Sequence, residues 1–232
     1  MRRRVISAWI QSKNWRRKMV GYKPLKNYAG VMLIGDYLTL KSLHAVLHEI
    51  NEGCPIIKRK DGFFMALAYD VRKALEGQRA KIKPPQGYPE IGPRFGVEIL
   101  WPVLLLQTRM MRVYMGYMDT SKIQQAHAFS LEALVESAIE EVFPAEAVDL
   151  IDGWNRIDPS HPWAEEKINS RGAIFSSWGK AERRKGLSGL LSSLDPMYPW
   201  LYEMAIQNGH TNIVAPEELD TWDGIEWPDP RW

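Results

Sequence analysis

The stretch FMALAYDVRKALEGQR, residues 64–79, sets Asp70, Arg72 and Arg79 among apolar residues spaced as one helix face. Further along, Arg112 lies with Gln107 and Arg109 on a strongly apolar background, and Glu132 and Glu136 follow on the next amphipathic run. A charge in such a setting persists only when it is paired and hydrogen-bonded. Two chemistries fit. Asp70 and Arg72 can belong to a network of structural ion pairs. Alternatively Asp70, Arg72, Arg79 and Arg112 form a ligand-binding pocket, since the guanidinium fork matches a phosphate, carboxylate or nucleotide. The ion-pair reading is the simpler one, and a site requires Arg79 or Arg112 to join Asp70 in a cleft.

Other spacings are weaker. His44 and His48 lie four apart, with Glu52 extending the row, which suits a zinc ion on one helix face. A zinc-protease helix needs glutamate directly after the first histidine, and Ala45 stands there. Two histidines packed against a neighbour are the commoner case, so no metal or other cofactor is assigned. Arg156 and His161 match an R-x4-H pattern of some helical ribonucleases, but Pro159 and Pro162 place them in a turn. Ser176 and Ser177 lack a nucleophile-elbow context. GLSGLL has no Gly-Lys-Ser/Thr ending, and GYPEIGPRFG holds too many prolines to cradle phosphate. No catalytic residue is assigned.

Charge is distributed unevenly along the 232 residues, although the net charge is only +2. Residues 1–35 hold nine Lys or Arg and no acid, while residues 217–232 hold six acids and one arginine. Arg2, Arg3, Arg4, Arg16, Arg17 and Lys18, with Trp9, Trp15 and Tyr22 among them, make a mixture that neutralises phosphates and stacks bases. The acidic tail carries Trp222, Trp227 and Trp232. These indoles are expected to dock, either back onto this chain or into a groove on a partner or second copy. A single cysteine, Cys54, excludes a disulfide framework and fits a reducing cytoplasm. The apolar stretch Val5–Ile10 is too short for a signal peptide. The most apolar run, from Val97, is broken by Glu98, Arg109 and Arg112, which excludes a membrane span.

The elements that position these groups are mainly helical. Leu40, Leu43, Leu47 and Ile50 seam a helix over Thr39–Glu52, with Asp36 or Thr39 to cap it and Gly53 and Pro55 to stop it. A second helix spans Phe63–Glu76, with Gly77 at its end. A buried central helix runs from Trp101 to Met118 with Pro102 in its first turn. Residues 121–143 form another, and Pro144–Ile151 a shorter one. WAEEKI, SGLLSSL and PWLYEMAIQNG read as short helices among glycines. Residues 28–37 suit a strand or a buried entry segment, IIKRKDG a short extended piece ending in an Asp-Gly turn, and 80–96 a long loop. The fold class is mainly α: an irregular multi-helix domain with at most a short strand or hairpin. A basic arm (1–27) precedes the helical domain (28–210), and an acidic tail (211–232) follows, extended and largely without a core.

AGVMLIGDY with its leucine-seamed helix, YDVRKALEGQR, VEILWPVLLLQTRMMR and SLEALVESAIEEV, in that order, resemble a family of uncharacterised bacterial proteins over residues 28–143. The resemblance leaves out the arm and the C-terminal third, and carries no activity, cofactor or catalytic set. It implies a bacterial or phage-borne cytoplasmic helical domain of the sort encoded among antiviral defence genes. The functional expectation is a non-enzymatic binding protein that engages a protein partner, a second copy, or nucleic acid through the arm. The polarised termini and ten tryptophans motivate it, since tryptophan is over-used at contacts with partners. The alternatives are an enzyme acting on nucleic acid or nucleotides through Arg, Asp and His, or a sensor of an anionic ligand.

Overall fold

A computed structural model describes residues 20–84, 89–210 and 213–229. Arg2, Arg3, Arg4, Arg16, Arg17, Lys18 and Trp232 lie outside the described residues, so the nucleic-acid reading of the arm rests on sequence alone.

Helices dominate. Among the described residues they are α1 (Tyr37–Gly53), α2 (Phe63–Leu75), α3 (Trp101–Met115), α4 (Lys122–Val142), α5 (Ala147–Arg156), α6 (Pro162–Ser177), α7 (Lys180–Ser192), α8 (Tyr198–Gln207) and α9 (Pro216–Asp220). Their ends follow from local chemistry. The Asp36 carboxylate accepts from the Thr39 N–H at 2.8 Å and starts α1. Ser121 and Gln124 form a reciprocal capping box at α4. Beyond α2, Gly77 takes φ of +74°, a left-handed conformation that favours glycine.

One antiparallel sheet stands beside them, in the order β1-β2-β4-β3. Its strands are β1 (Gly21–Pro24), β2 (Gly30–Gly35), β3 (Ala80–Ile82) and β4 (Arg94–Leu100). The sheet is larger than a hairpin because two of its strands fall in or against the segment read as a loop. β3 is only three residues long, and β4 begins inside that segment and runs straight into α3. The register pairs Val31 with Ile99 and Leu33 with Val97, and all four are buried. Gly30 faces Leu100 across the ladder, and a Cβ there would lie 2.0 Å from the Ile99 carbonyl oxygen. The segment after α1 forms no strand and closes in a turn at Lys60 and Asp61. Asn51 clamps it by donating to the Lys60 carbonyl at 2.9 Å, while Lys60 Nζ donates back to the Asn51 carbonyl.

The core is one cluster centred on α3, which touches α1, α2, α4, α5, α6 and α7. Trp101 is fully buried against Phe143, and Trp154 donates its indole N–H to the Leu105 carbonyl at 2.8 Å. α6 and α7 are longer than the glycine punctuation suggested. Gly172 and Gly186 lie inside them, and each is a contact point for an indole: a Cβ would stand 2.0 Å from Trp227 Cη2 and 2.6 Å from Trp178 Cζ3.

The segment beyond residue 210 has a core contact after all. Leu219 of α9 is fully buried, and Trp222 and Trp227 pack on the central cluster. Asp220 and Asp223 pair with Lys167 at 3.1 and 2.8 Å, and Asp220 lies 3.7 Å from Arg171. These two indoles therefore dock on the chain itself. No helix among the described residues is long and apolar enough to cross a membrane.

Candidate functional site

Asp70 and Arg79 meet at the end of α2. The Arg79 guanidinium donates to the Asp70 carboxylate at 3.4 Å, across a cavity of about 440 Å³. Ala80, Gly96, Val97 and Glu98 complete the lining. Burial pushes the Asp70 carboxyl above its ordinary value, and Arg79 offsets only part of that rise. Arg72 and Arg112 do not line this cavity. Arg72 points to Glu76 at 4.0 Å and stacks on Tyr69, so the partner of Asp70 is Arg79 rather than Arg72. Arg112 reaches Glu132 at 3.5 Å across the α3–α4 interface and lies 4.4 Å over the Phe129 ring. Arg109 donates to the Ile157 carbonyl at 3.4 Å. Each of these arginines has its own partner. The cavity walls carry two carboxylates and one guanidinium, a net negative lining that repels the anion an arginine pocket would take.

The histidines fall into two places. His127, on α4, is buried, and its Nε2 lies 2.8 Å from the Ser42 hydroxyl on α1. That distance suits a nucleophile and its base. Among the described residues no carboxylate bonds the imidazole, and Ser42 sits inside a helix, so the pair is a strut between α1 and α4. Gln124 and Glu49 make a second strut at 2.9 Å. Sequence spacing could not find Ser42 and His127, which are 85 residues apart. Burial pushes the His127 pKa below its ordinary 6.5. The stability gained by keeping it neutral is full above pH 6.5, the unfolded value, and is lost as pH falls through the lower folded value. Thermal melts between pH 7.5 and 5 should show a falling midpoint, and His127→Gln should flatten that fall. An unchanged slope would remove His127 as its source. His44 and His48 lie one turn apart on α1, with Nε2 atoms 3.2 Å apart. Arg156 ends α5, and His161 caps α6 by accepting the Trp163 N–H at 3.1 Å, which leaves the R-x4-H pair in a turn.

Two arginines that the sequence did not single out are buried. Arg171 on α6 donates to the Ser193 hydroxyl at 3.2 Å and the Ser170 hydroxyl at 2.9 Å. Arg183 on α7 donates to the Phe175 and Ser176 carbonyls at 3.2 and 3.0 Å, and so closes the C-terminal end of α6.

The least satisfied surface is on α8. Only Tyr198 of this helix is buried, held by a 2.7 Å hydrogen bond from its hydroxyl to the Val214 carbonyl. Trp200 is 53 % exposed and Met197, at the helix start, 57 %. Leu201, Met204 and Ile206 are exposed as well. Met197, Trp200, Leu201 and Met204 follow the i, i+3, i+4, i+7 spacing of one stripe. From Gly186 to Pro230 the chain has eight acids and no Lys or Arg, so the segment that carries the stripe is acidic. Sequence reading takes an apolar helix for core, and only the exposure shows otherwise.

A family model described as a domain of unknown function (DUF6904) matches residues 21–232. The chain belongs to that family. The match reaches through the C-terminal third, which the resemblance over residues 28–143 had left out, so α6 to α9 are part of the family's domain. No curated protein and no solved structure matches the chain.

Proposed function

We propose that this protein is a non-enzymatic binding module that engages a protein partner through the apolar stripe of α8. The exposed row Met197, Trp200, Leu201 and Met204 carries this reading. An apolar helix face with anchors at that spacing is what a hydrophobic groove receives, and Trp is enriched among the residues that dominate such contacts. Large exposed apolar patches mark interaction surfaces. The surrounding acids define the partner: an apolar groove rimmed by Lys or Arg, which the negative field steers into place. The same field opposes nucleic acid on this face. The buried free Cys54 suits a reducing cytoplasm. A bacterial or phage-borne setting among defence genes accords with a module of this kind.

The test is a paired substitution, Trp200→Asp with Met204→Asp. Both side chains are exposed, so the melting temperature should hold within the range of ordinary surface changes, about 0.5 kcal/mol. A photo-crosslinking residue at Leu201 should trap a defined protein in cells, and one at Leu38, exposed on α1, should not. The double substitution should abolish the Leu201 adduct. A trapped second copy would fix the partner as the chain itself. An adduct pattern that is the same at both positions, or that survives the double substitution, overturns the reading.

A further inference from the structure

His44 and His48 present two imidazoles from consecutive turns of α1, with ring centroids 4.5 Å apart and Nε2 atoms 3.2 Å apart. One hydrogen bond between a protonated and a bare nitrogen accounts for that separation. The separation also equals the edge of a coordination polyhedron. Two nitrogens each about 2.0–2.1 Å from an ion, at a near-tetrahedral angle, lie about 3.3 Å apart. The Nε2 atoms already stand at the separation a shared ion requires, so only a turn of the rings is needed to aim both lone pairs at it. We propose that His44 and His48 form a two-histidine chelate for a divalent transition ion of the zinc and nickel class.

The surroundings agree with this. Burial first, and the neighbouring His48 second, lower the His44 pKa, which favours the neutral ring that can ligate. Arg72 on the packed α2 also faces His44, and Glu76 beside it counters that charge. Imidazole suits zinc, nickel and copper, whereas magnesium and calcium take oxygen ligands. Among the described residues no third histidine, cysteine or carboxylate joins the pair. The ion would therefore keep its other positions for water or an incoming group, with Glu52 one turn further along the row. Such a site is open and exchangeable, not a structural one, and it lies on α1, separate from the α8 stripe.

Titration calorimetry of the untagged full chain with ZnCl2, NiCl2 and MgCl2 tests the proposal. The expected result is one zinc or nickel ion per chain and no magnesium. His44→Ala and His48→Ala should each weaken zinc binding by about tenfold or more, because each removes one of two protein ligands. His210→Ala, which removes an exposed histidine elsewhere, should leave it unchanged. A melting curve confirms that each variant is folded. Absence of zinc and nickel binding to the wild-type chain, or equal binding by the His44→Ala/His48→Ala double variant, overturns the proposal.

Discussion

Arg171→Ala is expected to destabilise the protein by about 3–5 kcal/mol, the range seen when a buried ion pair is broken or a large core side chain is removed. Arg171 is 1 % exposed, so its stem and its guanidinium both belong to the interior. Its Nε and Nη1 satisfy the Ser193 and Ser170 hydroxyls, and Asp220 supplies the countercharge at 3.7 Å. Burial lowers the Arg171 pKa, and the Asp220 and Asp223 carboxylates oppose that. A guanidinium stays charged through such a shift, so its fork must be kept satisfied. Alanine would leave a void and take away the donors to the Ser193 and Ser170 hydroxyls, which keep their own bonds to the Leu190 and Lys167 carbonyls. Methionine fills the stem's volume and should cost less than alanine, while lysine, a point charge without the fork, should not rescue. Chemical denaturation measures all three. A double-mutant cycle with Asp220→Asn isolates the ion pair, and a coupling near zero would assign the cost to packing alone. An Arg171→Ala cost below about 1 kcal/mol would contradict the account, since that is the scale of an ordinary surface change.

Which parts of this architecture were legible in the sequence depends on whether the signal is local. Asp36 ahead of a leucine seam and Gly77 after a helix are local signals, and α1 and α2 fall where they point. Strand pairing is not local. β4 gains its identity from β2, which lies some sixty residues earlier, and from the three-residue β3, so its start read as part of a loop. The C-terminal glycines misled for a related reason. Gly172 and Gly186 mark breaks in isolation, but here the missing side chain makes room for Trp227 and Trp178. The same limit governs the candidate sites. Proximity of Asp70 and Arg79 was readable, but the choice of Arg79 over Arg72 was set by where β3 leads the chain. Spacing placed His44 and His48 on one face, and only coordinates give the 3.2 Å between nitrogens. The α8 stripe has the composition of a core helix, and nothing in a sequence records that its neighbours leave it bare.

Removing residues 217–232 is expected to cost on the order of 5 kcal/mol, the scale of burying three large apolar side chains. The deletion takes away Leu219, Trp222 and Trp227, each of which packs on the central cluster. Burying one large apolar side chain contributes roughly 1.5–3 kcal/mol, and that scale is an upper estimate when the unfolded chain is itself partly compact. It also strips Lys167 of the two carboxylates whose hydrogen bonds, that to Asp223 above all, push its pKa up. The buried Arg171 would lose its half-exposed countercharge, Asp220. Such a loss is comparable with the whole stability of many domains, so the truncated chain can fail to fold. Gly172→Ala provides the finer probe. A Cβ there meets the Trp227 ring at 2.0 Å, so the indole must leave its seat while the rest of the chain stays intact. Tryptophan fluorescence should shift to the red, and the melting temperature should fall. Crosslinking from Leu201 should persist, because Trp200 and Met204 are untouched. Were Gly172→Ala to abolish that adduct without lowering stability, the indoles of the tail would belong to the partner's interface rather than to the protein's own cover.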